Sequence, residues 1–232
     1  MNLQQFPYSS DNFSYLVHGA HSALAVDGGA VESILDFVKN NRLTLTHVTH
    51  THMHPDHTCG TRELLDRSGA VLLDSAFLSG HSRFELDGLT VHIYATPGHT
   101  DDSMTFHVGN RLITGDTLFN GTIGNCFSGD IRAFYNSIKF LMAFPGDTAV
   151  YAGHDYLKYA MSFTRMIEPD NPDIDPYLKS YNPGHVCSRL DDELKVNPYL
   201  RFNDSRFIEI LKKKNLPVST EFQRWESIMS LG

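Results

Sequence analysis

The 232-residue chain carries 27 acidic against 19 basic residues, a formal charge of −8, and is 41% hydrophobic. Its one basic block is Lys212-Lys213-Lys214, which reads as a solvated helix face and argues against nucleic acid as a partner, since phosphate recognition needs a basic face. No apolar run is long enough to span a bilayer, the start lacks an export signal, and Cys59, Cys126 and Cys187 are too scattered for a disulfide framework, so the expectation is a cytoplasmic chain without membrane contact.

From Leu3 to Val26 short apolar segments alternate with turn residues, a pattern of paired hairpins. Asp27-Gly28-Gly29 stops the last strand. Val31, Ile34, Leu35 and Val38 then fall at helical spacing, and Asn40-Asn41 ends that helix. The β-branched run 43–49 predicts a strand that delivers His50-Thr51-His52-Met53-His54-Pro55-Asp56-His57. Here His52, His54, Asp56 and His57 crowd three imidazoles and a carboxylate into one short segment. Charged imidazoles side by side would repel, and a helix would fan them onto different faces. A metal ion removes both objections, because neutral imidazole and carboxylate are ligands that zinc, iron and manganese accept. Residues 58–67 read as a helix and residues 70–73 as a buried strand.

Further on, segments 83–87 and 89–94 flank a hairpin turn at Asp87-Gly88, and the second runs into Thr96-Pro97-Gly98-His99. Segments 103–108 and 111–114 form another hairpin, which empties into Gly115-Asp116-Thr117. A glycine-rich loop covers 119–129. Ile131, Phe134, Tyr135, Ile138, Leu141 and Met142 mark one face of an amphipathic helix. Residues 148–151 predict a last short strand ending on Gly153-His154-Asp155. Taken singly, His99, Asp116 and His154 read equally as turn or cap residues. Four strand ends that each present such a group predict convergence along one sheet edge. Beyond Glu168 the texture changes: Pro169, Pro172 and Pro176 punctuate a linker, and residues 191–196, 206–214 and 221–229 are helix candidates.

Residues 51–57, Pro97-Gly98-His99, Gly115-Asp116-Thr117 and Gly153-His154 together resemble the metallo-β-lactamase superfamily, five histidines and two aspartates matching in type and chain order. Within it the chain is most similar to glyoxalase II, the hydroxyacylglutathione hydrolases, along 11–17, 115–119, 153–156, 168–171 and 197–201. The resemblance implies an α/β fold, an αββα sandwich, with residues 1–168 as the catalytic domain and 169–232 as a small C-terminal helical region on the substrate side. It implies two divalent metal ions, zinc first, with iron or manganese also acceptable. His52, His54 and His99 would hold one ion, Asp56, His57 and His154 the other, and Asp116 would bridge them. A hydroxide between the ions, oriented by Asp56, would attack a small-molecule thioester: S-D-lactoylglutathione, or a related acyl-thiol, giving D-lactate and free thiol. No cysteine nucleophile is needed, and Cys59 reads as a small packing residue.

The chain also departs from that family. Where its members carry a lysine and a tyrosine against the thiol tripeptide, this sequence has Asn125 and Phe127, and its tail segment 220–227 holds one cation, Arg224. Tyr156 matches a substrate-contacting tyrosine, and reads equally as an aromatic packed at the sheet edge. These losses bear on glutathione specificity more than on hydrolysis. The alternative from another enzyme class is a mononuclear iron persulfide dioxygenase, similar at residues 98–101 and 154–156. Residues 115–119 and the helical tail are of the thioesterase type.

Overall fold

The computed structural model describes residues 2–231. Strands β1 (Asn2–Tyr8), β2 (Asn12–His18) and β3 (Ser22–Val26) pair antiparallel, and helix α1 (Val31–Asn40) crosses over to β4 (Thr44–Thr49), parallel to β3. The histidine segment follows, with α2 (Pro55–Thr58), α3 (Thr61–Ser68) and β5 (Val71–Leu72) completing a five-stranded sheet in the order β1-β2-β3-β4-β5. After α4 (Ser75–Gly80) come β6 (Arg83–Leu86), β7 (Leu89–Ala95), β8 (Met104–Val108) and β9 (Arg111–Gly115). A small ribbon of β10 (Leu118–Phe119) and β11 (Thr122–Ile123) precedes α5 (Ile131–Met142) and β12 (Ala149–Ala152). The chain ends with α6 (Leu157–Ile167), α7 (Ile174–Ser180), β13 (Ser188–Arg189), α8 (Leu190–Val196), a 3-10 turn at Pro198–Leu200, α9 (Ser205–Lys213) and α10 (Glu221–Met229). The second sheet runs β13-β12-β9-β8-β7-β6.

Alternation along the strands makes the layers, because successive strand side chains point to opposite faces. In β2, Tyr15 and Val17 enter the core between the sheets with Phe106, Ile113 and Tyr151, while Leu16 faces α1 and α3 with Ile34 and Leu64. In the second sheet Ile113 points inward, and Leu112 and Val150 point outward onto Phe134 and Ile138 of α5. The result is the αββα sandwich. Fully buried Trp225 and Phe207 of the C-terminal helices pack into that same outer cluster, so this region completes the layer over the second sheet. Among the described residues no helix is long and apolar enough to cross a membrane.

Several local expectations change. The helix expected over 58–67 begins only at Thr61, as α3, and Cys59-Gly60 separates it from α2; there Gly60 abuts the Gly28 carbonyl so closely that a Cβ would lie 2.1 Å from its oxygen. The strand expected buried over 70–73 is reduced to Val71–Leu72 on the sheet edge, with both residues exposed and Leu73 alone buried. The loop 119–129 holds the β10–β11 ribbon, and 148–151 is not the last strand, since β13 pairs antiparallel with β12. The segment read as a linker runs into α7. Helix α6 was not expected, although Leu157, Ala160, Met161 and Thr164 bury one face at helical spacing.

Candidate metal centre

The two sheets are stitched together at one end. Phe13 N–H donates to Gly153 O (2.9 Å), Asp155 N–H to Asp11 O (2.8 Å) and Met104 N–H to Thr51 O (2.7 Å). This end collects the histidine segment after β4, His99 after β7, Asp116 after β9 and His154 after β12. Pro55 opens α2 as a preset first helical residue and places Asp56 and His57 in its first turn. Gly153 leaves room for the approach of Asp116, whose Oδ1 would lie 2.2 Å from a Cβ there.

The donors form two groups, each with its atoms within 4.8 Å of one another: His52, His54, His99 and Asp116, and beside them Asp56, His57 and His154. Asp116 stands between. Its Oδ2 lies 3.5 Å from Nε2 of His99 and 3.5 Å from Nε2 of His154, and its Oδ1 lies 3.4 Å from Nε2 of His57. Asp56 Oδ2 is 3.3 Å from His154 Nε2 and 3.6 Å from His57 Nε2.

Ring nitrogens confront each other directly: His52 Nε2 and His54 Nδ1 at 2.9 Å, His99 Nε2 and His54 Nδ1 at 3.1 Å, His57 Nε2 and His154 Nε2 at 3.2 Å. Among the described residues buried Asp116 Oδ1 has no hydrogen-bond partner. Facing lone pairs and an orphaned carboxylate oxygen are what a bound cation relieves. Two nitrogens held at about 2.0–2.1 Å on one tetrahedral ion lie roughly 3.3 Å apart, close to these separations. The donor set therefore fits divalent metal.

The far nitrogens are fixed as well. His57 Nδ1 faces Asp27 Oδ2 at 3.1 Å, His154 Nδ1 faces Asp11 Oδ1 at 2.8 Å, His99 Nδ1 meets the Asn125 carbonyl at 2.9 Å, and His52 Nδ1 meets Thr51 Oγ1 at 3.1 Å. Each acceptor draws the ring proton to Nδ1 and leaves Nε2 as a lone pair toward the centre. Asp27 organises the most: fully buried, with φ of 54°, it also accepts from the Thr51 amide and hydroxyl, both at 2.7 Å. Burial opposes charge on it, but His57 lowers its pKa. Burial, reinforced by His57, lowers the pKa of His52 to about 4, and burial lowers that of His99. Against burial, Asp27 and Asp116 raise His57 to about 11, while Asp116 and Asp11 raise His154, a pull toward positive charge at Nε2 that a bound cation would satisfy in place of a proton. Asp116 is held far below the carboxylate range by His154 and His57 despite its burial. The sequence alone marks none of Asp27, Asp11 and Thr51 for the centre, because Asp27-Gly28-Gly29 reads as a strand stop.

Comparison with known proteins follows the same lines. Residues 70–172 match the metallo-beta-lactamase superfamily and residues 155–228 match the hydroxyacylglutathione hydrolase C-terminus. The hydroxyacylglutathione hydrolase of Pseudoalteromonas translucida is 32% identical over 96% of this chain and 93% of its own. The chain belongs to the hydroxyacylglutathione hydrolase family. The Pseudomonas fluorescens hydroxyacylglutathione hydrolase is 30% identical over 93% of this chain and 91% of its own. Among solved structures, ETHE1 from Myxococcus xanthus is similar at a TM-score of 0.67 and 26% identity, covering 98% of this chain and 100% of that one. TTHA1623, solved in a di-iron-bound form, shares the fold at a TM-score of 0.61 and 19% identity, covering 86% and 100%. As a member of the hydroxyacylglutathione hydrolase family the chain is a metal-dependent hydrolase, its chemistry is thioester hydrolysis, and it binds divalent metal.

Beside the donors of this hydroxyacylglutathione hydrolase relative opens a cavity of about 560 Å³, walled by Phe119, Ile123, Asn125, Tyr156, Tyr159, Phe163 and Tyr199. Tyr156 stacks on His154 with ring centroids 5.0 Å apart and planes 5° from parallel, and is partly exposed to the cavity. Tyr156 thus packs as an aromatic and also lines the cavity. Asn125 uses its carbonyl on His99 and lines the cavity, whereas Phe127 lies edge-on to His54 and His99 and is 65% exposed. Cys59, expected to pack, is exposed, and its thiol donates to Asp56 O at 3.2 Å.

Proposed function

We propose that this chain hydrolyses S-D-lactoylglutathione, or a related acyl-thiol, to D-lactate and free thiol. His52, His54, His99 and Asp116 would hold one divalent ion, and Asp56, His57, His154 and the shared Asp116 a second, with zinc the first choice and iron or manganese compatible with the same donors. On this proposal residues 1–168 form the catalytic part and 169–232 the substrate side, which reaches the cavity through Tyr199. The observation that carries the reading is Asp116, a buried carboxylate set between two groups of converging nitrogens.

When bound, two such ions polarise a carbonyl oxygen and make water a nucleophile near neutral pH. The protein supplies position. Asn12 Nδ2 donates to Asp56 Oδ2 at 2.9 Å, and although burial opposes it, that bond and His57 lower the Asp56 pKa. Asp56 thus stays an acceptor that orients the attacking water. As the carbon–oxygen bond forms, the carbon–sulfur bond breaks, and the proton given up by water leaves with the thiol. The first group, three nitrogens and one oxygen, would also suffice for a single iron, which supports persulfide dioxygenation as the second reading.

The test is zinc reconstitution with metal analysis and S-D-lactoylglutathione turnover, beside an oxygen-uptake assay on glutathione persulfide. Two ions per chain are expected, and Asp116→Ala should hold at most one and lose activity by about 10³-fold or more, the scale of several kcal/mol of charge stabilisation. One iron per chain with oxygen uptake, or full metal loading with no thioester cleaved, overturns the reading.

A further inference from the structure

The cavity beside the metal centre is built without charge. Phe119, Tyr156, Tyr159, Phe163 and Tyr199 supply its walls, Asn125 adds a polar amide, and among the described residues no lysine or arginine lines it. The cations of the neighbouring segments have protein partners: Arg201 is paired to Glu168, Arg165 to Asp175, and Lys158 lies over the Tyr181 ring at 5.3 Å. Carboxylates stand on its metal-centre side instead, where Asp56 and Asp11 both contact the His154 ring on which Tyr156 of the cavity wall stacks. Asp56 is about half exposed and Asp11 one-third exposed, in a chain of net charge −8. A carboxylate-bearing ligand in this cavity would find no fixed positive charge to replace its hydration, whereas a ring or alkyl group would find aromatic faces.

The size says which half of the substrate enters. About 560 Å³ lies in the range of cavities that take a drug-sized ligand, far beyond what a three-carbon acyl group fills. The thiol half is the part large enough to use it. Phe119 and Tyr156 connect the cavity to the chemistry, for both touch His154, Phe119 edge-on at 5.9 Å and Tyr156 face-on.

We propose that this pocket selects its thioester by aromatic and apolar contact with the thiol half, and that the preferred substrate carries a neutral, ring- or alkyl-bearing thiol instead of one rich in carboxylates. The inference rests on the thioester-hydrolase reading and refines it.

Three D-lactoyl thioesters, differing only in the thiol, separate the two: the glutathione thioester, its dimethyl ester with both carboxylates capped, and the thioester of benzyl mercaptan. Initial rates are taken with zinc-loaded enzyme at low and moderate salt. Capping should leave kcat/KM equal or higher. The benzyl thioester should exceed the glutathione thioester at least tenfold, mostly through KM, and salt should leave the glutathione KM within twofold. Tyr159→Ala, at a site 76% exposed and thus safe for folding, should raise KM for the benzyl thioester several-fold. Asn125→Lys should raise the preference for the glutathione thioester over its dimethyl ester at least fivefold. A glutathione thioester cleaved ten times better than its dimethyl ester, with a KM that climbs with salt, sinks this inference and leaves the hydrolase standing. Cleavage of none of the three sinks both.

Discussion

The metal-centre edge and the aromatic cavity meet where Phe119 and Tyr156 touch His154 and the Asn125 carbonyl meets His99, yet they are built from different material. The donors leave the ends of β4, β7, β9 and β12, on two sheets stitched together by main-chain hydrogen bonds, and most are buried. The cavity takes its walls from the β10–β11 ribbon, the start of α6 and the 3-10 turn at Pro198–Leu200, with Tyr156 and Tyr159 partly open to solvent. Chemistry is thus placed on the rigid part of the fold, where sub-ångström errors in donor position matter. On the proposed reading, choice of substrate falls to side chains that can change without disturbing it.

The largest test of that division is Arg201→Ala. Buried Arg201 makes a two-pronged contact with Glu168, with its second nitrogen 2.9 Å from Glu168 Oε1. Glu168 caps the end of α6, which carries Tyr159 and Phe163, and Arg201 follows Tyr199 by two residues. The pair clamps opposite walls of the cavity. Removing the cation strands a buried carboxylate with Asn171 Nδ2 as a remaining donor, a loss of about 3–5 kcal/mol. Thermal unfolding should fall by roughly 10 °C, at about 2–4 °C per kcal/mol for a chain of this length. Thioester KM should rise while metal content stays at the wild-type value. Loss of metal in step with the loss of stability would show that the centre depends on the clamp.

The two regions also differ in how far the sequence reveals them. Imidazoles and carboxylates at the ends of apolar strands are chemically conspicuous, so the donors could be named before any fold was known. Asp27 occupies the same kind of position, just after β3, but Gly28-Gly29 beside it suffices to explain why the strand stops there, so nothing in the sequence sets it apart. Its left-handed backbone and complete burial exist only in three dimensions. Phe119, Phe163 and Tyr199 are ordinary aromatics that carry no chemical signal of their own in the sequence. They become a wall only when the C-terminal helices fold back over α5 and share its apolar cluster. Helix spacing in α6 was present in the sequence but masked by the Gly153-His154-Asp155 motif just before it.

Asp27→Asn probes the centre from behind without touching a proposed ligand. The amide keeps one acceptor for Thr51 but presents an NH₂ or a weaker oxygen to His57 Nδ1, and so loosens the ring that faces Asp116. Loss of such an orienting partner costs about 10–100-fold in metal affinity or activity. Chelator competition should register that drop, with thioester KM in the fully reloaded protein within about twofold of wild type. A KM change larger than the affinity change would mean that Asp27 also shapes the cavity, and the two regions would no longer be separable along that line.

The smallest effect lies far from both. Glu221, at the start of α10, accepts from Lys139 Nζ at 2.5 Å and from the Tyr135 hydroxyl, both on α5, and from Asn203 Nδ2 at 2.7 Å. The Lys139 bond first, then those from Tyr135 and Asn203, lowers its pKa to about 2. A carboxylate depressed by folding stabilises fully above its unfolded value of about 4.5, and that contribution fades as pH falls toward about 2. The side chain is 31% exposed, so solvent screening reduces the contribution to about 1 kcal/mol, near 2–4 °C in thermal unfolding. Glu221→Gln should therefore unfold a few degrees below wild type at pH 7, and the gap should close between about pH 4 and pH 2. Since α5 lies over the second sheet, on the face away from the inter-sheet core, neither KM nor metal content should move. If KM does move at pH 7, strain passes through α5, where Phe134 packs against Gly98 next to His99, and the donor edge is coupled to the outer helical layer after all.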